Sequence, residues 1–124
     1  MSSSRQALAA GPFGASFYPG LVESTDVTIR KLGFSAVTGS DLLQTITEIR
    51  RDTVILGGLT TPYCVQTTAD DLCSAGYRVA ILSDACASQA IGDYSPEIAH
   101  DVTLQRISYL IGRVIGSNEI ITNL

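Results

Sequence analysis

Residues 53–76, TVILGGLTTPYCVQTTADDLCSAG, constrain the fold of this chain more than any other stretch. Thr53 to Leu56 is a short β-branched and apolar run, the composition of a strand buried on both faces. Gly57 and Gly58 end it, because they let the backbone turn and let other groups come close. Thr61 is then placed as an N-cap, and Pro62 fits the first helical position, where its missing N–H costs nothing. Val65, Ala69, Leu72 and Cys73 recur at i, i+4, i+7 and i+8, one apolar stripe of a helix, and Gly76 stops it. The segment therefore predicts strand, tight turn and helix, with Cys64 at the third helical position.

That placement matters chemically. The first N–H groups of a helix lack intrahelical partners and carry the positive end of its dipole. A cysteine held there has its thiolate favoured, which is what a sulfur nucleophile requires. The same N–H groups can hold the oxyanion of a tetrahedral intermediate. Taken alone, the residue reads as a small buried apolar side chain that happens to start a helix. Its neighbours in sequence decide between the two.

The rest of the chain bounds the answer. Its 124 residues make one domain, and 45% hydrophobic with 16% charged residues is a core-forming composition. A net charge of -4 argues against nucleic acid as a partner. No apolar run approaches the ~18 residues of a membrane span, and the N-terminus has no basic region followed by an apolar core. Three cysteines without close spacing predict free thiols in a reducing, cytoplasmic setting. One histidine and no Cys-x-x-Cys leave no structural zinc pattern.

Residues 1–25 read as a loop-rich N-terminal segment, punctuated by Gly11-Pro-Phe-Gly and Tyr18-Pro-Gly, and residues 26–124 as the domain proper. Asp26 to Arg30, with Val27 and Ile29 alternating against polar neighbours, predicts a short strand. Ser40 is placed as the N-cap of a helix to about Arg50, with Leu42, Leu43, Ile46 and Ile49 as its apolar face. Tyr77 to Leu82 predicts another buried strand, ended by Ser83-Asp-Ala-Cys-Ala-Ser. Gln89 to Tyr94 reads as loop, Ser95-Pro96 starts a long helix to about Gly112, and Glu119 to Thr122 reads as a last strand. His100, on the long helix, reads as a surface or satisfied histidine, and Cys73 and Cys86 as core. Strands alternating with helices indicate an α/β fold with a parallel sheet.

Two runs carry a resemblance. The first is Gly58-Leu-Thr-Thr-Pro-Tyr-Cys-Val, followed by Ala75-Gly-Tyr-Arg-Val and Ser83-Asp-Ala-Cys-Ala. The second is Lys31-Leu-Gly-Phe-Ser-Ala-Val-Thr-Gly-Ser-Asp-Leu. Both resemble the isochorismatase-like cysteine hydrolases, a superfamily that includes nicotinamidases and N-carbamoylsarcosine amidases. Val37 stands where that pattern carries phenylalanine, and Ser40 where it carries threonine.

The resemblance implies a three-layer αβα sandwich with a mostly parallel sheet and the site at the carboxyl ends of the strands. It implies hydrolysis of a C–N bond in a small-molecule amide through a thioester on Cys64, assisted by Lys31. Backbone N–H groups of Thr60 and Cys64 would bind the oxyanion, and Tyr63 and Phe34 would line the substrate. The bond Leu59–Thr60 is implied to be a non-proline cis peptide. Asp84 takes a structural role, tying a strand end to neighbouring backbone. No cofactor and no metal are implied.

The family's third catalytic member, an aspartate in an Asp-x-Gln-x-x-Phe run on its first strand, has no match in residues 1–30, where Glu23 and Asp26 are the acids. The family's first strand, first helix and second strand are accordingly expected to be missing. An uncovered sheet edge and exposed apolar surface would then favour a homo-oligomer. Two functions stay open at this point: a cysteine amidohydrolase, or a catalytically silent truncated member acting through association.

Overall fold

Three parallel strands organise the computed structural model, which describes residues 17–122. In chain order the elements are α1 (Leu42–Glu48), β1 (Thr53–Leu59), a π-helical turn (Thr61–Val65), α2 (Gln66–Ser74), β2 (Arg78–Ala87), α3 (Pro96–Leu110), β3 (Arg113–Ile115) and α4 (Ser117–Thr122). The strands lie in the order β1-β2-β3. Two consecutive parallel crossovers in one direction set α2 and α3 on the same face of the sheet, given the right-handed rule for such units. The core agrees. Val65, Ala69 and Leu72 from the turn and α2, Ile107 from α3, and Val79 and Ile81 from β2 form one buried cluster with Ile46 of α1. Leu72, Ile81 and Ile107 are wholly buried, and each such side chain contributes about 1.5–3 kcal/mol by leaving water.

The two ends of α2 show how the sequence sets its limits. Its C-terminus is a Schellman closure, with Tyr77 N–H donating to the Leu72 carbonyl and Gly76 N–H to that of Cys73. Gly76 supplies the left-handed conformation this needs, at φ 94°. A second glycine is fixed by close approach. A Cβ at Gly112 would lie 2.1 Å from the carbonyl oxygen of Val79, so the chain leaving α3 passes over β2 only as glycine. Ser95 caps α3 as expected, accepting from Ile98 N–H at 3.2 Å, with Pro96 at the first position.

Several expectations are corrected. Asp26 to Arg30 forms no strand. Among the described residues nothing runs beside it to accept its backbone bonds, and alternation alone does not make a ladder. β1 extends to Leu59 rather than ending at Leu56, and it is not buried on both faces. It is an edge strand among the described residues, with Val54 and Leu56 half-buried and Ile55 47% exposed.

Further along, β2 continues past Leu82 to Ala87, because its end pairs Cys86 with Gly58 and Ala87 with Leu59 after a register shift. α1 stops at Glu48, leaving Ile49 exposed, and its cap is Asp41, although the Ser40 hydroxyl accepts from Leu42 N–H at 3.2 Å. Glu119 to Thr122 lies in a helix, not a strand. Ser117 at its start is held by Asp84, and the third strand is Arg113–Ile115 instead.

Candidate active site

Cys64 does not sit in the first turn of an α-helix. It is the fourth residue of the π-helical turn Thr61–Val65, between the end of β1 and the start of α2. The residue in extended conformation before the turn is Thr60, which makes no side-chain cap, and the Leu59–Thr60 peptide is cis. The carbonyl of Thr60 accepts from the N–H groups of Tyr63 and Val65, at 3.1 and 3.3 Å. Gly58, at φ 135°, takes up the register shift where β1 gives way to the turn, a conformation that side chains disfavour.

Thr61 does not cap a helix either. It is wholly buried, and its hydroxyl lies 2.8 Å from Nδ1 of His100 on α3. His100 is thus a satisfied histidine, as its sequence context indicates, but its partner is the residue that begins the cysteine turn. The sequence holds one sign of this. His100 shares the spacing of Thr103 and Ile107, both buried, so it belongs to the inner face of α3.

The two residues singled out as catalytic come together across 33 positions of sequence: Lys31 Nζ lies 3.3 Å from Cys64 Sγ. The same ammonium donates to the Gly33 carbonyl at 2.6 Å, which holds the lysine's end over its own loop. Cys64 is half-buried and Lys31 exposed. Phe34, three residues beyond the lysine, stacks on Tyr63, next to the cysteine, with ring centroids 5.5 Å apart and planes 19° from parallel. Both rings are partly open, Phe34 at 57% and Tyr63 at 39% exposure, so they present apolar surface beside the sulfur.

The loop carrying Lys31 is anchored behind the lysine. Ala36 N–H donates to Thr68 Oγ1 on α2 at 2.9 Å, and Ser35 and Thr68 are both buried. Ser40 Oγ donates to the carbonyl of Ala36 and, at 3.3 Å, to that of Val37. The acids upstream are used locally. Asp26 Oδ2 accepts from Glu23 N–H at 2.9 Å, and Asp26 N–H donates back to the Glu23 carbonyl. Among the described residues the single ion pair is Arg106–Asp70, so no carboxylate pairs with Lys31 there. No group of histidine, cysteine and acidic residues among them is arranged to hold a metal ion, and none of the helices they form is long and apolar enough to cross a membrane.

The other two cysteines are free and half-buried. Burial pushes the Cys86 thiol above its ordinary value, helped by the nearby Asp84 charge and opposed by the Gly58 backbone. Asp84 takes the structural role expected of it. It accepts from Ser117 N–H at 2.9 Å and from the Ser117 hydroxyl at 2.5 Å, and these bonds hold its carboxyl below the ordinary carboxylate range.

Residues 2–119 match the isochorismatase domain family. YrdC, an uncharacterized isochorismatase family protein of Bacillus subtilis, is 26% identical over an alignment of 103 residues that covers 79% of this chain and 55% of the relative. A crystal structure of a cysteine hydrolase from Pseudomonas syringae is similar at a TM-score of 0.85 and 28% identity, over 97% of this chain and 59% of that one. A pyrazinamidase/nicotinamidase from Streptococcus mutans is similar at a TM-score of 0.62 and 31% identity, over 68% of this chain and 44% of that one. The chain thus spans 55% and 59% of the length of the first two of these relatives and 44% of the third.

Proposed function

This chain belongs to the isochorismatase family, and from that premise we propose that it hydrolyses a C–N bond in a small amide through Cys64. The observation that carries the reading is the 3.3 Å contact of Lys31 Nζ with Cys64 Sγ. The thiolate attacks the amide carbonyl carbon, and the carbonyl π electrons move to oxygen, where backbone N–H groups of Thr60 and Cys64 stabilise the charge. Collapse breaks the C–N bond, and the nitrogen leaves as ammonia or an amine after taking up a proton. A water molecule then adds to the thioester, and the carboxylic acid departs as the sulfur returns to its starting state. The stacked rings of Phe34 and Tyr63 supply a flat apolar wall, which suits a planar acyl group. No cofactor enters these steps. Three free thiols suit a reducing, cytoplasmic setting.

Turnover by this polypeptide alone is expected to be slow. A positioned acid–base group for the leaving amine typically contributes ~10²–10⁴-fold, and Lys31 has no paired carboxylate among the described residues. That same observation favours a second reading, a catalytically silent family member that acts through association, as a homo-oligomer through β1, an edge strand among the described residues. Ammonia release measured over small amides, including nicotinamide and N-carbamoyl compounds, separates the two. Turnover that Cys64→Ala abolishes supports the hydrolase. Turnover that survives Cys64→Ala, or none at all in the unaltered chain, overturns it. Glu23→Ala and Asp26→Ala in parallel show whether either acid serves the leaving group.

A further inference from the structure

Thr61 begins the turn that carries Cys64, and its hydroxyl is the one atom of that turn given a side-chain partner on α3. The contact to His100 Nδ1 measures 2.8 Å, and Thr61 is wholly buried. His100 itself makes no hydrogen bond to the cysteine or the lysine. It lies in the first part of α3, a helix whose start is fixed by the Ser95 cap and whose inner face, at Ala99, Thr103 and Ile107, is buried. A π-helical turn is a rare departure from the α geometry that follows it in α2, and such turns recur at functional sites. From these observations we propose that His100 is a positioning residue for the nucleophile: through Thr61 it pins the first residue of the cysteine turn to α3, and so sets where Cys64 Sγ stands relative to Lys31.

The chain of contacts is short. His100 holds Thr61. Thr61 opens the turn in which the Thr60 carbonyl accepts from the N–H groups of Tyr63 and Val65. Cys64 lies between those two donors, and its sulfur meets the ammonium at 3.3 Å. The lysine is exposed and tethered to its own loop at Gly33, so it does not itself hold the sulfur in place. Val65 packs into the core from the far end of the turn, and at the near end, just after the Leu59–Ala87 pairing, the buried Thr61 is tied to α3 through its hydroxyl. Removing that tie leaves a buried hydroxyl or ring nitrogen without a partner, and the near end moves to find one. Which of the two atoms donates is set by the ring tautomer, and either arrangement gives the same restraint.

The inference rests on Cys64 being the reactive sulfur, not on any particular substrate, and alkylation by iodoacetamide tests it without turnover. Native protein is treated at fixed pH, and the labelling rates of Cys64, Cys73 and Cys86 are followed by peptide mapping. Thr61→Val keeps the shape and removes the hydroxyl; His100→Leu keeps bulk and removes the nitrogen. Each is expected to slow Cys64 labelling about three- to tenfold, and the pair together no further than either alone. Thr61→Ser and His100→Asn restore a hydrogen-bonding atom at the same place and are expected to recover most of the rate. Labelling of Cys73 and Cys86, which lie outside the turn, is expected to stay unchanged.

Rates for Cys64 within twofold of the parent in both Thr61→Val and His100→Leu overturn the proposal. So does failure of both conservative variants to recover the rate. Acceleration of all three thiols together does the same, because it reports general opening and not a displaced sulfur. A failure of amide turnover in the parent chain speaks only to the proposed hydrolase, since the alkylation rates are read whether or not a substrate is cleaved.

Discussion

The two halves of the site are held in different ways. The cysteine half is built into the core: Thr61 and Val65 at the ends of its turn are 0% and 4% exposed, and β1, α2 and α3 all bear on it. The lysine half is a surface loop in which Leu32 is 78% and Phe34 57% exposed. That loop has no ladder and no helix of its own until α1. What places it is one bond to Thr68, the Ser40 bonds to the Ala36 and Val37 carbonyls, the buried Ser35 hydroxyl accepting from Val37 N–H, the half-buried Val37 against the core, and the stack of Phe34 on Tyr63. The nucleophile's position is thus a consequence of folding, because the turn cannot move without disturbing buried side chains. The lysine's position is a local equilibrium, set by a few hydrogen bonds worth little each.

If the contact between the halves is what makes the sulfur reactive, breaking it from the lysine side has the largest effect. Lys31→Met keeps the length of the chain and removes the charge. Any amide turnover is expected to fall by ~10²-fold or more, on the scale of a lost charge-stabilising group. Alkylation of Cys64 slows in parallel, while the urea midpoint barely moves because the lysine is exposed. Unchanged alkylation of Cys64 in Lys31→Met would mean that the 3.3 Å contact does no chemical work.

Breaking the other half shows in stability first. Leu72 is wholly buried between the helix and the sheet, one α-helical turn beyond Ala69 on the same stripe as Val65. Leu72→Ala leaves a cavity in the buried cluster that Val65 of the cysteine turn joins and is expected to cost about 2–5 kcal/mol in urea unfolding. A cost under about 1 kcal/mol would mean that the turn is not supported by this packing. The contrast with Lys31→Met sharpens the comparison, since one change strikes function with little loss of stability and the other strikes stability directly.

How much of this was legible in the sequence follows the same division. The apolar spacing of Val65, Ala69 and Leu72 and the stop at Gly76 are properties of one helix, and the structure returns them with the Schellman bonds in place. The pairing of Lys31 with Cys64 was legible only through the family resemblance of their two runs, because nothing in local spacing joins residues so far apart. What misled were segments whose state is decided by a neighbour. Asp26 to Arg30 alternates like a strand but has no strand beside it among the described residues. Ile120 and Ile121 read as β-branched strand residues, yet the carboxylate of Asp84 meets Ser117 and starts a helix there. Thr61 has the chemistry of an N-cap, and its hydroxyl goes to His100 instead. A side chain with two competing partners is settled by tertiary structure, which no single window of sequence contains.

A milder change tests whether the lysine loop is as loosely held as it looks. Thr68 is 5% exposed, and its hydroxyl accepts from Ala36 N–H at 2.9 Å, the bond that moors the loop to α2. Thr68→Val keeps the shape and leaves that N–H without its partner, for about 1 kcal/mol of stability. Cys64 alkylation is expected to fall by a factor of a few, because the lysine visits the sulfur less often. A loss of stability with no change at Cys64 would show that the Phe34–Tyr63 stack alone suffices to place the loop.

The smallest expected effect belongs to the fixed side of the sheet and is read by pH. The bonds from the Ser117 hydroxyl and then from its backbone N–H hold the Asp84 carboxyl below its ordinary value near 3.8. A carboxylate whose value is lowered by folding contributes stability at pH above its unfolded value, and the contribution is lost as pH falls through the folded value. Asp84 is exposed, so water screens the interaction and its share of the total is small. Thermal unfolding of the parent and of Asp84→Asn should therefore differ at pH 6 and converge only as the pH falls below 3.8 and through the lowered folded-state value, beneath which the parent's carboxyl is protonated in both states. Neither Cys64 alkylation at neutral pH nor its dependence on Lys31 should respond to Asp84→Asn, since the tie lies between β2 and α4 and does not touch the lysine loop. A gap between the two proteins that does not narrow at all as the pH is lowered from 6 to the acid limit of folding would remove the charge on Asp84 as the source of the stabilisation, and a slowed Cys64 would place this end of the sheet among the supports of the cysteine turn.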